Sequence, residues 1–456
     1  MIRLRTFLPL LAVALLVACS LVPAELQREL LPSNTAYKTA EAAYQVLIER
    51  HVDKPTSNVL LEGALNGATT EVQKEIPTAT FPVGPLGLTG STWSDFAKFS
   101  DRLDAILKAV PSADRTLVER AAVDGMAKSL NECHTYYLDP NRAKGFNQPQ
   151  PPVSGIGVTI NKPSSTEPIV VLRVIPGTPA DRAGIKEGDK IITVDGADVT
   201  NLQTDEVANK VRGQEGTQVT IGVLRGSQSL SFTLARARFS VPLETDSVVE
   251  GTAIGRIEVP QLVGSVADEV SNAVKRLNTG GASAIILDLR SDPGGDLSAA
   301  VDIASIFVRQ GTLVYQTGRD GNRAPLDVNR RYFINTGGKP LVVLVNHNSA
   351  SGAEIIAAGI RANDAGTVIG TQTAGCVGTG QPRDLPDGGL LLVTITKIQD
   401  ARTGAELNGP GRGIVPDQVV DQPSGAAGDP QLDAAVAFLK TKIARSSIQQ
   451  VLLAAA

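Results

Sequence analysis

Residues 341–356, LVVLVNHNSASGAEII, constrain the fold more than any other stretch. Residues 341–345 are apolar and either β-branched or leucine, the signature of a strand buried on both faces. A polar turn follows, and Ser349-Ala350-Ser351-Gly352-Ala353-Glu354 opens an apolar run of helical length. Ser349 or Ser351 stands at the helix N-terminus, and Glu354 falls three residues after Ser351, the spacing of a capping box. Such a terminus offers unpaired N–H groups and a positive dipole end, which suits an oxyanion. Small residues at Ala350, Gly352 and Ala353 leave room for a substrate backbone. An ordinary capped helix after a core strand carries the same pattern, so the rest of the chain has to decide.

The pattern N-x-x-S-A-S-x-A-E-I at 346–355 resembles the nucleophile segment of the carboxyl-terminal processing proteases, relatives of the tricorn-type serine proteases. The resemblance runs in the family's order from about residue 44 to residue 417, and it implies that Ser351 is the nucleophile.

The 456 residues leave room for about three domains. A net charge of −4 with no long basic run gives no electrostatic footprint for nucleic acid. Residues 1–19 read as an export segment: Arg3 and Arg5 precede an apolar run at 8–17, too short for a comfortable membrane span. The run ends in Leu16-Val17-Ala18-Cys19-Ser20, which resembles a bacterial lipobox and makes Cys19 the expected lipidation site. A plain secretory signal is the alternative. Either way the mature chain is expected outside the cytoplasm, lipid-anchored to the outer face of a bacterial membrane in the first case.

The expected organisation is α/β with three folded parts. After a tether at 20–33, a helical domain occupies 34–150, with helices at 34–52, 60–74, 94–110 and 114–130. Residues 151–238 look like a PDZ domain. Gly155-Ile156-Gly157-Val158 resembles its carboxylate-binding loop, and 204–211 fits the helix lining its peptide groove. Over 239–423 strands alternate with helices, and the resemblance implies the spiral β-α core shared with the Clp and crotonase folds. Residues 424–456 are a linker and a last helix.

Peptide hydrolysis needs a nucleophile, a base and donors for the tetrahedral oxyanion. Pro293-Gly294-Gly295 resembles the family's N-P-G-G turn, with Asp292 in place of Asn, and implies the Gly295 and Gly352 N–H groups as donors. The segment 370–378 resembles the family's G-E-x-[TS]-[FY]-G-K-G, but Cys376 occupies the position of the catalytic Lys. Lys397 matches a structural basic position. In the tricorn branch the base is a His at the place of His134, within 125–138, where Glu132-Cys133 replaces the usual Asp-Pro. Glu406 and Asn408, ahead of Gly413-Ile414-Val415-Pro416-Asp417, are the candidate orienters of that imidazole.

Two readings result. One is a PDZ-guided serine endopeptidase that cuts exposed C-terminal tails of exported proteins with a non-Lys base. The other is a protease-derived scaffold, weak or inactive, that binds peptide C-termini. No metal or other cofactor is implied, because three His and three Cys show no ligand spacing. With Cys19 lipidated, Cys133 and Cys376 remain as a pair in an oxidising compartment. The family fold would bring both of their motifs to the active site, which implies a Cys133–Cys376 disulfide tying the helical domain to the core and fixing His134 beside Ser351.

Overall fold

The computed structural model describes residues 36–82, 84–146, 153–162, 167–239, 243–409, 411–423 and 428–454. The expected export segment, Cys19 and the tether lie outside them. Two compact units result: one of Met1–Glu49, Pro55–Leu130 and Asp384–Gly389, the other of Arg50–Lys54, Asn131–Arg383 and Leu390–Ala456.

The first unit is built of helices Lys38–Arg50, Ser57–Glu75, Thr92–Ala109 and Arg115–Lys128. Asp114 caps the last of these, accepting from the N–H groups of Thr116 and Leu117. Gly63 and Gly67 face Gly125 across the contact between the second and fourth helices. A Cβ at Gly67 would overlap the Ala121 carbonyl, so glycine is what lets the two backbones meet. Aromatics are scarce in the chain but gather here: Tyr44 stacks on Phe96 with ring centroids 5.4 Å apart, and its hydroxyl donates to Ser57 Oγ at 2.6 Å.

Residues 131–146, expected within the helical domain, belong to the second unit. That unit holds a sheet in the order Val158–Asn161, Ile169–Val174, Lys190–Val194, Gln218–Arg225, Gln228–Ala235, with helix Thr204–Val211 packed beside it. Ile156, Ile169, Ile191, Val207 and Ile221 fill its interior. Val158–Asn161 is an edge strand, so one side of its backbone is unpaired within the sheet.

The rest of this unit is built on two sheets. The first runs Thr245–Val248, Ile254–Glu258, Ala284–Asp288, Leu341–Val345, Thr367–Gly370, Gln418–Val419. All its pairings are parallel except the first. Helices Val266–Thr279, Leu297–Phe307 and Gly352–Ala362 make the crossovers, which is why Ala284–Asp288 and Leu341–Val345 are buried along their whole length. The second sheet is organised on Leu390–Asp400. It pairs antiparallel with Tyr136–Leu138, in the register Tyr136↔Leu392, and with Thr312–Gly318, and it also pairs with Gly378–Asp384. His134 and Cys376 therefore each stand two residues before a strand of one sheet.

Candidate active site

Ser351 is the N-cap of helix Gly352–Ala362 and has φ 55°, a left-handed conformation that a residue with a Cβ adopts only under constraint. The constraint is visible. Its N–H donates to the Cys376 carbonyl at 2.7 Å and to Glu354 Oε2 at 3.0 Å. Glu354 is fully buried and collects three more donors: Thr373 Oγ1 at 2.6 Å, Gly375 N–H at 2.9 Å and Cys376 N–H at 2.9 Å. Burial pushes its carboxyl up, and these hydrogen bonds oppose that shift. Of the two serines proposed for the terminus, Ser349 is structural: fully buried, its hydroxyl donates to the Leu289 carbonyl at 2.8 Å.

The glycine turn lies directly against Ser351. Ala350 N–H donates to the Asp292 carbonyl at 2.9 Å, and a Cβ on Gly294 would come within 2.6 Å of Gly352 N and of Ser351 Cβ. Leu262 brackets Gly295, donating to the Gly294 carbonyl at 3.0 Å and accepting from Asp296 N–H at 2.8 Å. Neither of these two bonds uses the Gly295 N–H. Gly352, the first helical residue, has no intrahelical acceptor for its N–H either. Asn346 joins the two turns, accepting from Ser291 N–H at 2.9 Å through Oδ1.

Asp292 stands where the resembling motif has Asn. It is fully buried; Oδ1 accepts from Gly294 N–H at 2.8 Å, and Oδ2 has no partner among the described residues. Burial raises its carboxyl well above the ordinary range, which favours the protonated, asparagine-like form over the carboxylate. Below about pH 4 both folded and unfolded chains hold this proton, so nothing is lost. As pH rises only the unfolded chain releases it, so folding stability falls. Asp292→Asn is therefore expected to melt higher than wild type at pH 8, by roughly 2–4 °C per kcal/mol recovered, with the gap closing near pH 4. Calorimetry at the two pH values checks this; a variant less stable at pH 8 would contradict it.

His134 Nε2 lies 3.3 Å from Ser351 Oγ. The His134 N–H donates to Glu132 Oε2 at 2.8 Å, and Glu132 Oε1 accepts from Thr394 Oγ1 at 2.8 Å. Burial raises the Glu132 carboxyl, but hydrogen bonds from His51, Thr135, His134 and Thr394 outweigh it and hold the group at about 2. Burial lowers His134, with Glu132 opposing, so the ring stays neutral below the pH at which an ordinary histidine would protonate. The backbone anchor Glu132 was read from the sequence only as a departure from Asp-Pro.

The Cys133–Cys376 disulfide is present, with Cα atoms 5.8 Å apart. Both half-cystines lie in the second unit, so it does not tie the helical domain to the core as expected; it closes a loop within that unit. The candidate orienters are not at the imidazole. Glu406 pairs with Lys397 at 3.3 Å and Arg412 at 3.1 Å, because two cations compete for it, and Lys397 also pairs with Asp53. Asn408 Oδ1 lies 3.8 Å from Cys133 Sγ and makes no hydrogen bond to the ring. Cys133, His134 and Cys376 are the cluster of metal-type donors among the described residues, but joined sulfurs are not thiolate ligands.

In the PDZ-like sheet, Gly155 pairs with Ala237, and Ile156 is buried with its carbonyl accepting from Ala180 N–H at 2.8 Å. Gly157 has φ 89° and its carbonyl accepts from Ile175 N–H at 2.9 Å; Val158 pairs with Val174 on the inner side of the edge strand. A Cβ on Gly157 would overlap Thr178, so enlarging this residue would distort the domain before it blocked a groove.

Residues 253–420 match Peptidase family S41 and residues 147–224 match the PDZ domain. A carboxyl-terminal-processing protease of Synechocystis is 32% identical over 308 residues, 66% of this chain and 71% of that protein. A "Probable CtpA-like serine protease" of Staphylococcus aureus is 31% identical over 68% of this chain and 61% of its own length. The chain thus spans about six tenths of the Staphylococcus relative. The solved structure of a photosystem II D1 C-terminal processing protease shares the fold, with a TM-score of 0.58 at 23% identity over 87% of this chain and 99% of that one. On the family match over residues 253–420 and the 32% identity to the Synechocystis enzyme, the chain belongs to the carboxyl-terminal processing proteases, serine-type enzymes of peptidase family S41.

Proposed function

We propose that this protein is an exported endopeptidase that cuts C-terminal regions of other exported proteins, with Ser351 as nucleophile and His134 as general base. The observation that carries the reading is the 3.3 Å approach of His134 Nε2 to Ser351 Oγ. Contacts of this length in unliganded sites shorten when substrate binds. His134 takes the Oγ proton as the oxygen attacks the scissile carbonyl, and the Gly295 and Gly352 N–H groups receive the oxyanion. The ring returns the proton to the leaving amine, and water repeats the cycle on the acyl-enzyme. The free edge of Val158–Asn161, preceded by Gly155-Ile156-Gly157, supports docking of a substrate tail as an added strand. Lipid anchoring at Cys19 belongs to the same proposal and rests on the sequence alone.

Two unfolded substrates that differ only in a free or amidated C-terminus test the PDZ part. The free acid is expected to be cleaved with the lower KM; equal KM values would remove tail guidance. A wild type that binds the free acid and never cuts it would establish the scaffold reading instead. For the anchor, Cys19→Ser is expected to move the protein from the membrane fraction to the soluble one, and an unchanged distribution would dismiss it.

A further inference from the structure

We propose that the Cys133–Cys376 disulfide is the group that orients His134: its sulfur accepts the hydrogen bond from Nδ1–H and so takes the place a carboxylate holds in a serine-protease triad. This rests on His134 being the base. To accept the Ser351 proton, a neutral ring must carry its own proton on Nδ1 and leave Nε2 bare. Nδ1 lies 3.3 Å from Cys133 Sγ and 3.8 Å from Cys376 Sγ. The neighbouring carboxylates are engaged elsewhere: Glu132 with the His134 N–H and Thr394, Glu354 with its four donors, Glu406 with Lys397 and Arg412.

The oxidation state of the sulfur matters. A disulfide sulfur has lone pairs and no proton, so toward Nδ1 it can only accept. That fixes the tautomer in which Nε2 is free for Ser351. A thiol can donate instead. A dithiol reductant would break the S–S bond, leave Cys133 and Cys376 as two thiols and itself become a disulfide. A Cys133 S–H donating to Nδ1 would then favour the proton on Nε2, the tautomer that cannot take a proton from serine. The structure thus couples peptide hydrolysis to an oxidised Cys133–Cys376 pair. Because sulfur is a neutral acceptor, it fixes the ring without the charge stabilisation that a carboxylate gives the imidazolium.

The first test is nitrogen NMR of 15N-histidine-labelled full chain, with His134 assigned by its absence in His134→Ala, recorded well above the ring's titration. The oxidised protein is expected to show a protonated Nδ1 and a bare Nε2, and dithiol treatment is expected to exchange them. A proton on Nε2 in the oxidised protein would overturn the proposal. Kinetics give the second test. Cys133→Ala with Cys376→Ala is expected to lose kcat by about 10²-fold or more at little-changed KM. Cys133→Asp with Cys376→Ala is expected to regain much of it, with the acid limb of the pH profile moved upward by the new carboxylate. Wild-type kcat and pH profile in the double-alanine protein would overturn the proposal even where folding is unaffected. The outcomes separate from those of the functional reading: full turnover in His134→Ala removes the base itself, whereas an inert His134→Ala with a tautomer indifferent to the disulfide removes the sulfur's role alone.

Discussion

Ser351→Ala and His134→Ala are each expected to reduce kcat by several orders of magnitude, up to about 10⁶-fold, and the double variant to be no worse than either. In the proposed mechanism the two groups act as a unit: without Oγ nothing attacks, and without Nε2 the hydroxyl keeps its proton. Each variant should retain the wild-type melting temperature within a few degrees, because neither side chain carries the packing of the core. Lys397→Ala should matter far less for turnover, since that side chain is engaged by Asp53 and Glu406. Steady-state kinetics on an unfolded protein substrate measure all four. His134→Ala with wild-type turnover would dismiss the imidazole as base, and a strong loss in Lys397→Ala would revive a lysine.

Glu354→Ala is expected to have the largest effect on stability. One buried carboxylate satisfies the N–H groups of Ser351, Gly375 and Cys376 and the hydroxyl of Thr373. The Ser351 N–H keeps the Cys376 carbonyl, but removing the carboxylate strands the other three donors in a closed interior, at about 1–3 kcal/mol for each one that water cannot reach. Even with partial relaxation a loss of roughly 4 kcal/mol is expected, enough to lower the melting temperature by about 8 °C or more. The same carboxylate helps hold Ser351 at its positive φ, so any folded remainder should turn over poorly. Glu354→Gln should fall between the two, because its amide nitrogen cannot accept. Thermal unfolding followed by circular dichroism decides this; an alanine variant as stable as wild type would mean that these donors find water or rearrange.

Much of the fold is written in local pattern. The apolar run at 341–345 forms the buried strand, Ser351 caps the helix, Asp114 caps another, and the groove helix spans Thr204–Val211 as its residues imply. Local chemistry sets these: burial on both faces, a side-chain acceptor at a helix start, a helical period. The site was legible where it shares that stretch. Its other half depends on pairings between distant segments. His134 reaches Ser351 because Tyr136–Leu138 pairs with Leu390–Asp400, and Cys376 meets Cys133 because Gly378–Asp384 joins the same strand. No periodicity in the sequence encodes that register; the family resemblance supplied the expectation. That Glu406 does not reach the imidazole has a related cause. Glu406 sits in the right segment, but Lys397 and Arg412 draw its charge away, and a preference among three-dimensional partners leaves no mark on a linear motif. Glu354 was visible as a cap, while three of its four donors come from residues 373–376.

The most direct test of the central claim is the rate at which a fluorophosphonate probe phosphonylates the protein, with loss of fluoride, followed by peptide mass spectrometry across pH. The account predicts a single adduct on Ser351, with a rate that rises through one ionisation below the ordinary histidine value of about 6.5, as burial of His134 requires, and that collapses in His134→Ala. An adduct on another residue, or equal labelling of Ser351 in His134→Ala, would contradict it.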